Sequence, residues 1–307
     1  MKTAMKSILI FQKNCFTESD GEFCMTGIID VGGGMRCIYS SGIYDCFLDR
    51  NIKFDYYLGV SAGSANLITY LSSQRGRTRK FYTDYSFRPD YMSAKNMLKN
   101  GSYINLDYIF STLTDEGGEN PLDYDAFCKS EGVFKVAATR ADNGEAVFFT
   151  REDVKRNDYA ILKASCCIPG VCKPREIGGK FYYDGGVAEP IPIKKAFDDG
   201  CDKIVLVLTK PREDYKHKAN FTKPLKYVLH NKKIVELVSH LPEICTDILK
   251  EAEEYEKSGK LLIIEPDDCL GMDTLTRNKN LMYKFYCKGY EDAQKALKNK
   301  EFFKVGE

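Results

Sequence analysis

A serine with a glycine two residues to either side is the first place in this sequence where chemistry is legible. Gly59-Val60-Ser61-Ala62-Gly63 has the form G-x-S-x-G. It lies between a strand-like run, "KFDYYLGV" (53–60), and a helix-like run, "AGSANLITYLSSQ" (62–74). On a sharp strand-to-helix turn the hydroxyl is pushed out at the head of the helix. There the helix's free N–H groups and positive end favour developing negative charge. The pattern predicts a nucleophile at Ser61, with Gly59 and Gly63 leaving room for strand and helix to approach. A serine needs a base. The chain has three histidines, His217, His230 and His240, and none stands beside a glycine turn or a strand end. Asp184, in "FYYDGG", ends an expected strand, and Gly185 and Gly186 let the chain turn away. A carboxylate there can accept a proton from a hydroxyl, and desolvation makes it a better base by raising its pKa.

Acyl transfer also builds an oxyanion, which requires donors. "GIIDVGGGMRC" (27–37) puts Gly32, Gly33 and Gly34 between an expected strand and an expected helix. Glycine lets backbone N–H groups turn inward, because no Cβ restricts φ or blocks approach. In an open parallel sheet this loop and the Ser61 loop open onto one crevice at the carboxyl ends of the strands. The three glycines are therefore expected to form the oxyanion hole facing Ser61. Arg36 either anchors that loop by bonding to carbonyls, adds positive charge near the site, or is a solvated residue in a first helical turn. A dinucleotide fingerprint fails, because Cys37 occupies the third glycine position, and no G-K-[ST] completes a phosphate-binding loop.

The elements that must hold these residues alternate. Strand (22–31), helix (36–52), strand (53–60) and helix (62–74) follow one another within about fifty residues, the signal of a parallel sheet covered by helices. Segment 75–130 is less regular and is expected to cap or flank the core. Strands follow at "FKVAATR" and "EAVFFT", a hairpin at "REI" and "KFYY", a helix at "PIKKAFDDG" and a strand at "DKIVLVLTK". Beyond 220 the chain turns mostly helical, with one more strand at "KLLIIEP" (260–266). One domain is expected over 1–307, with a catalytic core at about 24–210 and a mostly helical extension at about 220–307.

Composition narrows the function classes. Lys and Arg number 45 against 44 Asp and Glu, a net charge of +1, so nothing global points to nucleic acid. The 12 cysteines are scattered and include no C-x-x-C, which argues against a disulfide scaffold, zinc or an iron–sulfur cluster. "SILIF" (7–11) is too short for a signal-peptide core, and no apolar run is long enough to span a membrane. A cytoplasmic location is expected. Arg75, Arg77, Arg79 and Lys80, followed by Phe81, Tyr82 and Tyr85, offer a peripheral contact with anionic lipid. The competing reading is a charged turn leading into packed aromatics.

In order, "GGGMRCIYSSGIYDCFLD", "GVSAG" and "DGGVAEPIPIKKAFDDGCDKIVLVLT" resemble the three motif blocks of the patatin-like phospholipase family, specifically its bacterial branch. "ASCCIPGVCKP", "QRGRTRKFYTDYSF" and "KGYEDA" are similar to it as well. The resemblance covers most of 24–210. It implies a three-layer α/β/α fold around a mostly parallel sheet and a Ser-Asp dyad, Ser61 and Asp184, with no histidine. Gly32, Gly33, Gly34 and Arg36 map onto the oxyanion block. The implied reaction is ester hydrolysis on acylated lipids through an acyl-enzyme, with no metal or cofactor. One position departs: Cys37 stands where the family usually has Gly, which puts the loop's efficiency in question. Two alternatives stay open: an α/β-hydrolase esterase using one of the three histidines in a triad, and a non-catalytic lipid-binding protein.

Overall fold

The computed structural model describes residues 24–217, 229 and 231–306. The apolar run 7–11 and His230 lie outside the described residues. Five strands run parallel in the order β4-β3-β1-β8-β9: Val133–Arg140, Tyr56–Val60, Thr26–Asp30, Lys203–Val207 and Leu261–Ile264. Three antiparallel strands complete the sheet: β5 (Ala146–Thr150), β6 (Arg175–Ile177) and β7 (Lys180–Asp184). A short pair, β2 (Ile52–Lys53) and β10 (Lys304–Val305), stands apart.

The parallel strands are apolar at consecutive positions because both faces of the sheet are covered. Successive residues feed opposite cores. Ile28, Tyr57, Val205 and Val207 face one, while Ile29, Tyr56, Leu58, Ile204 and Leu206 face the other. Helices α1 (Ile38–Leu48), α2 (Ala62–Leu71) and α9 (Lys279–Ala296) pack on the first face through Phe47, Leu67, Met282 and Phe285. Helices α7 (Ile193–Asp198) and α8 (Lys232–Lys257) pack on the second through Ile193, Ala196 and Leu249. The result is the expected α/β/α sandwich with a mostly parallel sheet.

Segment 75–130 is more than a flank. It forms α3 (Arg77–Thr83), α4 (Ala94–Asn100) and α5 (Tyr124–Lys129), and its Phe81, Tyr82, Tyr91, Ile109 and Phe110 belong to the first core. Between β5 and β6 lies α6 (Ala160–Ser165).

One feature of the sheet sets up the site. Residues 135–139 of β4 pair with β5, which takes one edge. The other edge is divided. Residues Val133 to Ala137 pair with β3, and Ala138 to Arg140 pair with β7, which runs the opposite way. Val60 sits opposite Ala137 and Asp184 opposite Ala138. Strands β3 and β7 therefore meet head to head along one edge of β4. The residues just at their meeting ends, Ser61 and Asp184, are forced together although 123 positions separate them.

Candidate active site

Ser61 closes β3 and caps α2 with φ 54° and ψ −135°, a conformation L-residues rarely occupy. Its neighbours over-determine this strain. The Ser61 N–H donates to Ser165 Oγ at 2.9 Å, and the Ser61 carbonyl accepts from the Ser64 N–H at 3.0 Å and the Ser64 hydroxyl at 2.6 Å. Both elbow glycines are required by close approach. A Cβ on Gly59 would lie 2.3 Å from Ser64 Cα, and one on Gly63 would lie 2.4 Å from the Asp30 carbonyl oxygen.

The Ser61 hydroxyl donates to Asp184 Oδ2 at 2.6 Å. The other carboxylate oxygen accepts from the Gly186 N–H at 2.9 Å, and the Asp184 carbonyl accepts from the Thr139 hydroxyl at 2.8 Å. Both side chains are buried, each residue 7% exposed. Burial pushes the Asp184 carboxyl up to about 6, opposed by the Ser61 hydroxyl and the Gly186 N–H. A weak base is thereby strengthened and remains ionised near neutrality. His240 Nδ1 lies 2.9 Å from the Glu236 carbonyl of its own helix, and His217 is exposed. Among the described residues no histidine bonds to Ser61 or Asp184.

All three loop glycines have positive φ: 77° at Gly32, 134° at Gly33 and 60° at Gly34. A Cβ on Gly32 would lie 2.9 Å from Ser61 Cβ, so the loop runs against the serine. Its donors are not equivalent. The Gly32 N–H is spent on Asp30 Oδ1 at 3.0 Å, so Gly32 supplies closeness and not a donor. Among the described residues the Gly33 and Gly34 N–H groups find no acceptor. Nor does a helix satisfy its first N–H, which in α2 is that of Ala62. Arg36 bonds to two residues far along the chain. It donates to Asp273 Oδ1 at 2.8 Å and to Thr274 Oγ1 at 3.1 Å, side-chain oxygens of a distant segment and not the carbonyls that the anchoring reading named. Cys37 is fully buried with φ −66° and ψ −2°, a helical conformation that any residue adopts, so the loop geometry does not depend on glycine there.

Several residues of this site carry no local signal. Asp30 is fully buried, and burial pushes its carboxyl up to about 6. Thr209 donates to the Gly32 carbonyl at 2.6 Å from just beyond β8. Ser165, Asp273 and Thr274 reach the site from other elements entirely.

Ser61 opens onto an apolar cavity of about 800 Å3, its mouth included, lined by Ile68, Phe81, Tyr91, Ile109, Phe110 and Leu122 among others. Arg77 also lines it, and here the expectation that this residue meets lipid headgroups is corrected. Arg77 is buried, donating to Thr69 Oγ1, Thr114 Oγ1 and the carbonyls of Asn120 and Pro121, and burial pulls its guanidinium down to about 10. Phe81, Tyr82 and Tyr85 are buried with it. Arg75 pairs with Asp49, Arg79 lies over the Tyr286 ring, and Lys80 is exposed. Packing of the aromatics pulls Arg77 inward and leaves the charged turn outside. Among the described residues no helix is long and apolar enough to cross a membrane.

Comparison with known proteins agrees with this architecture. The family profile described as patatin-like phospholipase matches residues 31–197, and a profile described as a domain of unknown function, DUF6363, matches 231–303. The chain is 29% identical over 245 residues to the uncharacterized protein YjjU of Escherichia coli, covering 78% of this chain and 67% of that protein. It is 31% identical over 74 residues to the uncharacterized NTE family protein Rv1063c of Mycobacterium tuberculosis, covering 24% of this chain and 19% of that protein. VipD from Legionella pneumophila superposes with a TM-score of 0.49 at 13% identity, over 94% of this chain and 70% of that one. The first profile takes in the three-glycine loop, the serine turn and the Asp184 turn over more than half of the 307 residues, and the chain belongs to the patatin-like phospholipase family.

Proposed function

We propose that the chain is a serine acyl hydrolase that cleaves carboxylic ester bonds of lipids, with Ser61 as nucleophile and Asp184 as its base. The observation that carries this reading is the 2.6 Å hydrogen bond from the Ser61 hydroxyl to a buried carboxylate, at the mouth of an apolar cavity. Membership of a family of lipid hydrolases supports it.

The steps follow from the geometry. As Ser61 Oγ attacks the ester carbonyl carbon, its proton passes to Asp184 Oδ2. The carbonyl oxygen becomes an oxyanion and accepts from the Gly33, Gly34 and Ala62 N–H groups. Collapse breaks the bond to the alcohol oxygen. That oxygen takes the proton from Asp184 and leaves as the free alcohol or lysolipid. The acyl group is now an ester of Ser61, its chain in the apolar cavity. Water then repeats the sequence: Asp184 takes its proton, the hydroxide oxygen attacks, and Ser61 Oγ departs with that proton as the fatty acid is released. The Ser61 backbone strain holds the hydroxyl in place for both halves.

Phospholipid, lysophospholipid, monoacylglycerol and simple esters are all substrates this chemistry permits. The test is labelling with a fluorophosphonate probe followed by peptide mass spectrometry, then turnover against a panel of those lipids. The expected label is on Ser61. Ser61→Ala is expected to lose label and turnover together, by on the order of 10⁴-fold or more. Label on another serine, or unchanged turnover in that variant, overturns the proposal.

A further inference from the structure

The oxyanion loop is held from three directions. From below, Asp30 takes the Gly32 N–H. From the end of β8, Thr209 holds the Gly32 carbonyl. The third hold comes from far along the chain, in the segment 265–278 between β9 and α9, inside the region matched only as a domain of unknown function. There the Thr274 carbonyl accepts the Met35 N–H at 2.9 Å. A Cβ on Gly34 would lie 2.5 Å from that same carbonyl oxygen, so the segment rests directly on the loop. Arg36 reaches up to Asp273 Oδ1 and Thr274 Oγ1, and its guanidinium lies under Gly33, where a Cβ would come within 3.3 Å of it. Thr274 also lines the cavity beside Ser61.

The segment is itself braced. The Thr274 N–H donates to Asp273 Oδ1 at 2.7 Å, the Asp273 N–H donates to Thr276 Oγ1 at 2.9 Å, and Arg277 donates to the Met92 carbonyl at 3.2 Å. Its contacts fall on the residues that flank the two free N–H groups of the loop.

We propose that the C-terminal region completes the active site: Asp273 and Thr274 are positioning residues that hold the Gly33 and Gly34 N–H groups toward the oxyanion. This rests on the reading of Ser61 as a hydrolase nucleophile. A three-glycine turn has little conformational preference of its own, so something outside it must fix the donors. Arg36 transmits the hold. The side chain of Asp273 is 64% exposed and that of Arg36 is 13% exposed. An ion pair open to solvent on one side contributes little to stability. Its geometric effect is therefore separable from folding, which makes the proposal testable by point variants.

Asp273→Ala and Arg36→Met are compared with the wild-type chain on p-nitrophenyl butyrate, a soluble ester too short to probe the cavity. We expect kcat to fall about tenfold in each, since the donors are loosened and not deleted, while KM stays within about twofold. The double variant should fall by less than the product of the two single effects, because the two side chains share one contact while each keeps a second one to Thr274. Asp273→Asn, which keeps an oxygen for Arg36, should recover most of the loss. Melting temperatures should match wild type. Hydrogen exchange read on peptides covering 31–38 should be faster in Asp273→Ala, and this readout does not need activity. If wild type turns over no ester, the hydrolase reading fails, and exchange alone decides whether the segment holds the loop. Unchanged exchange, or kcat within about twofold of wild type in both variants, overturns the proposal.

Discussion

In the proposed mechanism two buried atoms, Ser61 Oγ and Asp184 Oδ2, carry the chemistry, and the environment of the carboxyl suits it to act as a base. Desolvation raises the Asp184 carboxyl to about 6, and only its ionised form can take the serine proton. The sign of the pH dependence follows. As pH falls through about 6 the carboxyl protonates and kcat/KM declines, approaching tenfold per pH unit well below that value. Above it the rate is flat, because the carboxyl is then fully ionised. The measurement is a pH–rate profile on a soluble ester. Loss of turnover in His217→Ala, His230→Ala or His240→Ala would point to a histidine base instead. At this scale the sequence was informative where the signal was local. Ser61 stood between two glycines and Asp184 before two more, and both appear side by side in the fold. Asp30, Thr209 and Ser165 were not legible. Their importance comes from which strand lies beside which, and an aspartate in a buried strand looks the same in sequence whether it holds a loop or not.

The elements matter because the dyad is assembled by strand register. Strand β3 stops at Val60 opposite Ala137, and β7 stops at Asp184 opposite Ala138. The turn after Asp184 must then leave without disturbing β4. A Cβ on Gly185 would lie 2.3 Å from the Ala137 carbonyl oxygen and 2.8 Å from its Cβ. Gly185→Ala must therefore push the end of β7 away from β4 and carry the Asp184 carboxylate with it. A displacement of about 1 Å at a reacting group costs on the order of 10²-fold in rate. We expect kcat to fall by about that factor while circular dichroism stays as in wild type, since β7 retains its pairing with β6. Full activity in Gly185→Ala would show that the register tolerates movement at the meeting point. The strands of the sheet and the helices of 36–74 were readable from periodicity and the hairpin from its Gly-Gly turn, whereas the three short helices of 75–130 were not. The head-to-head meeting of β3 and β7 was not, because pairing between strands so distant in the chain leaves no local pattern. The family resemblance implied the pairing of Ser61 with Asp184; the register supplies the physical reason for their contact.

Across the whole molecule, the C-terminal helix α9 is fastened to the first helix of the core by backbone contact. A Cβ on Gly42 of α1 would lie 2.1 Å from the Tyr286 carbonyl oxygen, and one on Gly289 of α9 would lie 1.9 Å from that of Tyr39. Each helix thus offers a glycine to the other's backbone. Around this crossing the Tyr39 and Phe285 rings pack at 5.1 Å, the Tyr286 hydroxyl donates to the Asp45 carboxylate at 2.7 Å, and the Tyr39 hydroxyl to the Asp292 carboxylate at 3.0 Å. In sequence "RCIYSSGIYD" and "KGYEDA" are unremarkable glycines in amphipathic helices, and only the partner reveals why neither tolerates a side chain. Gly289→Ala forces the helices apart at their closest point. Overpacking of this kind costs about 1–3 kcal/mol, so the melting temperature should fall by several degrees. Because α9 follows directly on the segment that rests against Gly34 and Arg36, the shift should reach the oxyanion loop. The soluble-ester kcat of folded Gly289→Ala, measured well below its melting temperature, should therefore drop together with the faster exchange of 31–38. A variant that melts early but keeps wild-type kcat would show that the helix crossing stabilises the fold without reaching the catalytic loop.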